Sequence, residues 1–248
     1  MSGHSRWAGI KHKKAVIDAK RGKVFTKIIK EITIAARIGG GSLESNPRLR
    51  KVVEDAREAN MPQDNIKKAI QRGTGELPGI NIEEVTYEGY GPGGVAIFLK
   101  ATTDNKNRTT SEIRKIFSEH GGNMGELGCV SWIFESKGYI TVPRKGVSED
   151  KITNLAIEVG AEDIKTDDPE VFEITTAPND FESIKMELEK NKIPVDVAEI
   201  TFIPKNTVPL TGEAAQKCLS LMEALEDHED VQSAFANFDI PQEVLQAK

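Results

Sequence analysis

The apolar residues of this chain change their spacing at GTGELPG, residues 73–79. Upstream they recur every three to four residues; downstream they mostly alternate. The first spacing belongs to helices that bury one face, the second to strands that do the same. A chain that keeps the two in separate stretches is predicted to be α+β, with a helical N-terminal domain and sheet domains after it.

The helical stretch divides into three. In KVFTKIIKEITIAARIGGG, residues 23–41, one face carries Val24, Phe25, Ile28, Ile29, Ile32, Ala35 and Ala36. Lys20, Lys23, Lys27, Lys30 and Arg37 fall on the other face, and Ile34 is the one apolar residue among them. Gly39, Gly40 and Gly41 end that helix. A second starts at Asn46 as cap and Pro47 in the first turn, with Leu49, Val52, Val53 and Ala56 inward. A third opens at Pro62, turns Ile66, Ala69 and Ile70 inward, and is expected to stop at Gly73. Three short amphipathic helices make a small bundle.

After residue 80, NIEEVTYEG and VAIFLKATT read as strands joined by GYGPGG, NRTTSEIRKIFSEHGG as a helix, and CVSWIFES as a strand with Trp132 and Phe134 on one face. GYITVP, SEDKITNLAIEVG, EDIKT, EVFEITT, DFESIKMELEKN and VDVAEITFIP then spell β-α-β-β-α-β, the ferredoxin-like order. Its expected core includes Ile140, Ile152, Leu155, Ile174, Ile184 and Ile200. A last helix, GEAAQKCLSLMEALED, and a strand, VQSAFANFD, complete the earlier ββαβ segment. The expected organisation is a basic arm at 1–22, a three-helix bundle at 23–77, and two ferredoxin-like α/β sandwich domains. One of these is discontinuous (80–136 plus 206–248) and the other, 137–205, is inserted in it.

Charge is divided as sharply as hydrophobic spacing. The whole chain of 248 residues has a formal net charge of −6. Residues 1–77 nevertheless hold 17 Lys or Arg against 8 Asp or Glu, and the remainder 16 against 31. Between Gly3 and Lys23 stand seven Lys or Arg, His4, His12, Trp7 and the single acid Asp18. A basic end on an acidic body is the pattern of a chain that meets nucleic acid with one end. Cys129 and Cys218 are far apart and outside any C-x-x-C pair, which argues against a disulfide framework. No stretch reaches the roughly 18 apolar residues of a membrane span, and the basic N-terminus has no apolar segment of a secretory signal. The expected location is cytoplasmic, without membrane partners.

Enzyme signatures are weak. Gly89, Gly91 and Gly94 match G-x-G-x-x-G, but Pro92 sits inside the run and a strand follows, so a hairpin loop is the expected reading. His4, His12, His120 and His228 lie outside zinc-ligand spacing, and no cofactor or metal is expected. TTDNKNRTT, residues 102–110, brings together Asp104, Asn105, Asn107 and Arg108, a polar patch suited to a phosphate or carboxylate. Its plainer reading is a turn, with Asn107 or Thr109 capping the next helix. EALEDHED, residues 223–230, is an acidic cluster at a helix end that could hold a metal or meet a basic partner; its plainer reading is a solvated face.

GHSRWAGIKHKKAVIDAKRGKVFTKIIKEI, NPRLRKVVEDAREANMPQDNIKKAIQRGTGE, YEGYGPGGVAI, TDNKNRT and GGNMGELGCVSWIF, in that order, resemble the YebC family. The resemblance covers essentially the whole chain. It implies a three-domain protein without known catalysis, among relatives that are probable transcriptional regulators and a mitochondrial activator of cytochrome oxidase translation. Some members are described as binding promoter DNA, others as ribosome-associated factors. Arg6 and Gly9 stand where the family usually has Lys and Asn; Arg6 keeps the charge and Gly9 loses a polar contact.

Both lines lead to a non-enzymatic nucleic-acid-binding regulator, with ribosomal RNA or DNA as partner and the acidic domains free to meet the ribosome or other proteins. The expected contacts are His4, Arg6, Trp7, Lys11, His12, Lys13, Lys14, Lys20, Arg21, Lys23, Lys27 and Lys30. Lysines neutralise phosphates, and Trp7 can stack on an unpaired base. The alternatives are a hydrolase-like enzyme using Asp104, Asn107, Arg108 and Glu126 in an interdomain cleft, and a pure protein-interaction module.

Overall fold

The computed structural model describes residues 21–79 and 81–240. It is a mixed α+β structure with antiparallel sheets and forms two compact units. Residues 1–20 of the arm lie outside the described residues, and Arg21 and Gly22, expected at its end, already belong to the first helix.

The first unit runs up to Ser131 and includes Leu210–Ala236. Its bundle consists of α1 (Arg21–Gly39), α2 (Pro47–Glu58) and α3 (Gln63–Thr74) around Ile32, Leu49, Val53, Ala56 and Ile66. Asn46 caps α2 by accepting the Leu49 N–H at 3.0 Å. Gly73 does not stop α3; the helix continues to Thr74, and Gly75 ends it at φ 83°. Gly73 is instead a point of close approach, since a Cβ there would lie 2.4 Å from the Thr33 carbonyl oxygen.

The unit's sheet has the order β3-β1-β2-β9, from β1 (Glu83–Gly91), β2 (Val95–Thr103), β3 (Asn123–Met124) and β9 (Val231–Ala236). α4 (Lys106–Glu119) packs on β1, α7 (Gly212–Glu226) on β9, and α1 lies against β2. Apart from Lys100, β2 is buried along its whole length, as its near-continuous apolar run requires of a strand covered on both faces. The position of α1 also accounts for Ile34. It is 2% exposed yet outside the bundle core, because α1 buries a second face beside the sheet.

The second unit comprises Trp132–Pro209 and, among the described residues, Asn237–Ile240. β4 (Phe134–Pro143), α5 (Glu149–Glu158), β5 (Asp163–Lys165), β6 (Val171–Thr176), α6 (Phe181–Lys190) and β7 (Val197–Pro204) form an antiparallel sheet of order β5-β6-β4-β7 with two helices. Ile140, Val142, Ile152, Phe172, Ile174, Ile184 and Leu188 fill its core. Ile200 does not join them and is 53% exposed. It sits on an edge strand opposite Gly138, which has no side chain to cover it. β8 (Val208–Pro209) pairs in parallel with β10 (Phe238–Asp239).

The strand expected over 129–136 starts only at Phe134, after a 3-10 turn at Ser131–Ile133. Trp132 is 63% exposed while Phe134 is buried, so the two do not share a face. The backbone N–H groups of Gly128, Val130 and Ser131 cannot enter a ladder because they donate to the Glu88 carboxylate, at 2.8, 2.7 and 2.8 Å.

Candidate nucleic-acid interface

Three lysines placed one turn apart on α1 meet the C-terminal end of α7. Lys23 Nζ donates to the Asp227 carbonyl at 3.2 Å and Lys27 Nζ to the Glu226 carbonyl at 2.6 Å. These carbonyls close the end of a helix, where its dipole is negative and cations are favoured. Lys30 Nζ goes further and pairs with Asp230, ahead of β9. Lys27 and Lys30 are half-buried and Lys23 is exposed.

Asp230 is fully buried and is the centre of this arrangement. One carboxylate oxygen takes Lys30. The other accepts from Arg108 at 2.9 Å and from the Thr109 hydroxyl at 2.6 Å. Burial alone would push the Asp230 carboxyl up, but the bonds from Lys30, Thr109 and Arg108 outweigh it and hold the group down at about 2. The bond to Asp230, with Asp104 adding a second, keeps the Arg108 guanidinium charged above its ordinary range. The Asp230 N–H donates to His228 Nδ1 at 3.1 Å, and His228 Nε2 lies 2.9 Å from Glu112. Glu112, His228 and Asp230 have metal-like proximity. Both Asp230 oxygens are already taken by cationic or hydroxyl donors, so the trio is part of a hydrogen-bonded network rather than an open ligand set.

The acidic run 223–230 is therefore not simply a solvated face. Two of its carbonyls and its last carboxylate hold α1 and α4. The sequence signal was slight: a basic row on α1 and an acidic run 200 residues later. Local spacing does not say that the two meet.

In the 102–110 motif, Asn105 caps α4 by accepting the Arg108 N–H at 3.1 Å. Neither Asn107 nor Thr109 does so, because Thr109 already donates to Asp230 and lies a full turn inside the helix. Arg108 is joined to Asp104 at 2.9 Å as well as to Asp230. Asn107 and Glu126 are exposed. His4, Arg6, Trp7, Lys11, His12, Lys13, Lys14 and Lys20 lie outside the described residues, and Arg21 is the first residue of α1.

From Lys23 onward, the bases of the bundle fall into two groups. Seven are engaged within the unit: Lys23, Lys27 and Lys30 as above, Arg37 with Asn81 and Ile82, Arg48 with Glu31 and Glu84, Arg50 with the Leu43 and Glu44 carbonyls, and Lys51 with Asp55. Four are exposed and their side chains make no hydrogen bond or ion pair among the described residues: Arg57, Lys67, Lys68 and Arg72.

A basic helical bundle whose inner charges are neutralised by an acidic α+β body defines the class of fold, and comparison with known proteins agrees with it. The family described as "TACO1/YebC protein N-terminal domain" matches residues 5–76, and "TACO1/YebC second and third domain" matches residues 82–238. This chain belongs to the TACO1/YebC family. A "Probable transcriptional regulatory protein" of Dictyoglomus turgidum is 58% identical over 248 residues, covering 100% of this chain and 99% of the relative. One from a Sulfurihydrogenibium species is 59% identical over 247 residues, covering 99% and 98%. The crystal structure of a conserved hypothetical protein from Aquifex aeolicus is similar, with a TM-score of 0.84 at 55% identity, covering 97% of this chain and 99% of that one.

Proposed function

We propose that this chain is a non-enzymatic regulator of gene expression that binds the phosphate backbone of nucleic acid through its basic N-terminal arm and the adjoining bundle. The observation that carries the proposal is the segregation of charge: 17 Lys or Arg against 8 Asp or Glu in residues 1–77, and the reverse excess after them. Such an end attracts phosphate, while the acidic body is repelled by it. The names of the relatives, probable transcriptional regulatory proteins, are consistent with this reading. Arg6, Lys11, Lys13, Lys14, Lys20 and Arg21 supply charge in the proposal, His4 and His12 hydrogen bonds, and Trp7 a stacking surface. Lys23, Lys27 and Lys30 stand at the root of the arm, and their internal bonds make them its anchor more than its grip.

The test is a competition between structured ribosomal RNA and duplex DNA for the full-length chain at matched salt. Preference for the RNA supports a translation role, and preference for the duplex a transcription role. Absence of binding to both at about 50 mM salt, where backbone contacts are strong, would remove the proposal.

A further inference from the structure

We infer that the outer face of α3 is a second phosphate-binding surface, directed at the backbone of paired nucleic acid. The inference rests on the nucleic-acid reading above and adds where, and to what form of the polymer, the bundle itself binds.

The internal bonds of the bundle pick out this face. Seven of its described bases are engaged by carbonyls, amides or carboxylates of their own unit. Of the four that are not, Lys67, Lys68 and Arg72 lie on one helix. Lys68 and Arg72 are four residues apart and stack along one stripe, with Lys67 on the neighbouring stripe beside Gln71. Ile66 and Ala69 are buried on the opposite side, and Gly73 there touches α1 at Thr33. The three charges therefore point outward from a helix that the core holds rigid. Asp64 in the first turn is the one acid of α3, placed at the helix N-terminus where the dipole favours it.

The type of partner follows from what the face lacks. It has no aromatic side chain, the usual platform on which unpaired bases stack. Lysine and arginine on a straight helix suit phosphates in a regular array, and such contacts position a duplex without reading its sequence. Within the whole interface, α3 binds the duplex portion, and an arm bearing Trp7 serves unpaired portions.

The test uses the full-length chain with Lys67→Gln, Lys68→Gln and Arg72→Gln combined, against duplex RNA, duplex DNA and a single strand of the same length. The expected result is a flatter dependence of log affinity on log salt, by about two to three units, for one or both duplexes. The loss should be smaller for the single strand. The charge-keeping set Lys67→Arg, Lys68→Arg and Arg72→Lys should restore the slope. Lysine acetylation of the wild-type chain gives an independent readout that needs no variant: saturating duplex should protect Lys67 and Lys68 but not Lys51. If the wild type binds duplex while the Gln variant keeps its slope and Lys67 and Lys68 stay reactive, this inference is wrong and the arm alone is the interface. A loss confined to the single strand also overturns it. If the wild type binds no nucleic acid, the proposed function fails first.

Discussion

Lys30 and Asp230 form an ion pair across 200 residues of sequence, with the Lys30 side chain 12% exposed and that of Asp230 fully buried. The pair joins the first helix of the bundle to the strand that completes the neighbouring sheet. Removing one partner of such a pair leaves an uncompensated charge. Asp230→Asn is expected to destabilise the chain by about 3 kcal/mol in urea unfolding at pH 7. The carboxyl titrates at about 2 when folded, against 3.8 ordinarily, so its contribution of roughly 2–3 kcal/mol is complete well above 3.8 and lost as pH falls toward 2. The difference between wild type and Asp230→Asn should therefore shrink between pH 5 and pH 2. A difference that stays constant over that range would mean that the pair contributes nothing through charge.

Glu88 holds the loop that precedes the second unit. Burial pushes its carboxyl up, but the N–H groups of Gly128, Val130 and Ser131 prevail and hold it below the ordinary value. Glu88→Gln keeps the shape but turns an amide toward backbone donors, and should cost about 2 kcal/mol. Hydrogen exchange at Gly128, Val130 and Ser131 should quicken in the variant before the sheet opens. Unchanged exchange at these three amides would show that the carboxylate does not order the loop. The folded carboxyl lies below its ordinary 4.5, so this stabilisation is present above that value and weakens as pH falls through it.

Gly73 gives a test whose sign is unusual. Alanine in a helix interior is ordinarily worth about 1 kcal/mol more than glycine. Here the new Cβ would stand 2.4 Å from the Thr33 carbonyl and 2.7 Å from Ala36 Cβ, on the helix packed against it. Gly73→Ala is therefore expected to lower stability by about 1–3 kcal/mol through the forced separation of α1 and α3. A stabilised variant in thermal or urea unfolding would refute the close approach.

Asp230, Glu88 and Gly73 also mark how far the sequence could be read. The elements themselves were legible. Asn46 and Pro47 announce α2, the 3.6-residue spacing defines α1 and α3, and the alternation after residue 80 gives β1 and most later strands. What escaped is what depends on partners distant in sequence. Ile34 looked misplaced because nothing local says that α1 lies on β2. Gly73 looked like a stop because its neighbour Thr33 is 40 positions away. Trp132 looked like a strand residue because the reach of Glu88 to residues 128–131 is invisible to alternation. The acidic run at 223–230 looked solvated for the same reason, and with it the role of the α1 lysines.

The stretch expected to be an inserted domain, 137–205, lies within a compact unit that starts at Trp132 and carries its own core. A fragment covering 132–209 is expected to unfold in one cooperative urea transition. A broad, non-cooperative transition would count against independent folding and hence against the insertion.

The arm and the α1 lysines can be told apart by salt. Deleting residues 1–20 removes Arg6, Lys11, Lys13, Lys14 and Lys20. If each neutralises one phosphate, the slope of log affinity against log salt should flatten by about four to five units. Lys27 and Lys30 are different, since their ammonium groups are matched by the Glu226 carbonyl and by Asp230. Lys27→Gln should change the slope by less than about one unit and stability by roughly 0.3–1 kcal/mol. Lys30→Gln should likewise spare the slope but destabilise by about 3 kcal/mol, because Asp230 stays buried with one cation fewer. Trp7→Ala should weaken binding to looped or single-stranded RNA more than to duplex, since stacking requires an unpaired base. Should Lys27→Gln and Lys30→Gln flatten the slope with stability unchanged, the contacts to α7 and Asp230 yield to phosphate in solution, and α1 is part of the grip. Should the arm deletion leave the slope where it was, the charge of residues 1–20 is solvated surface and the arm is struck from the interface, which would then rest on the bundle alone.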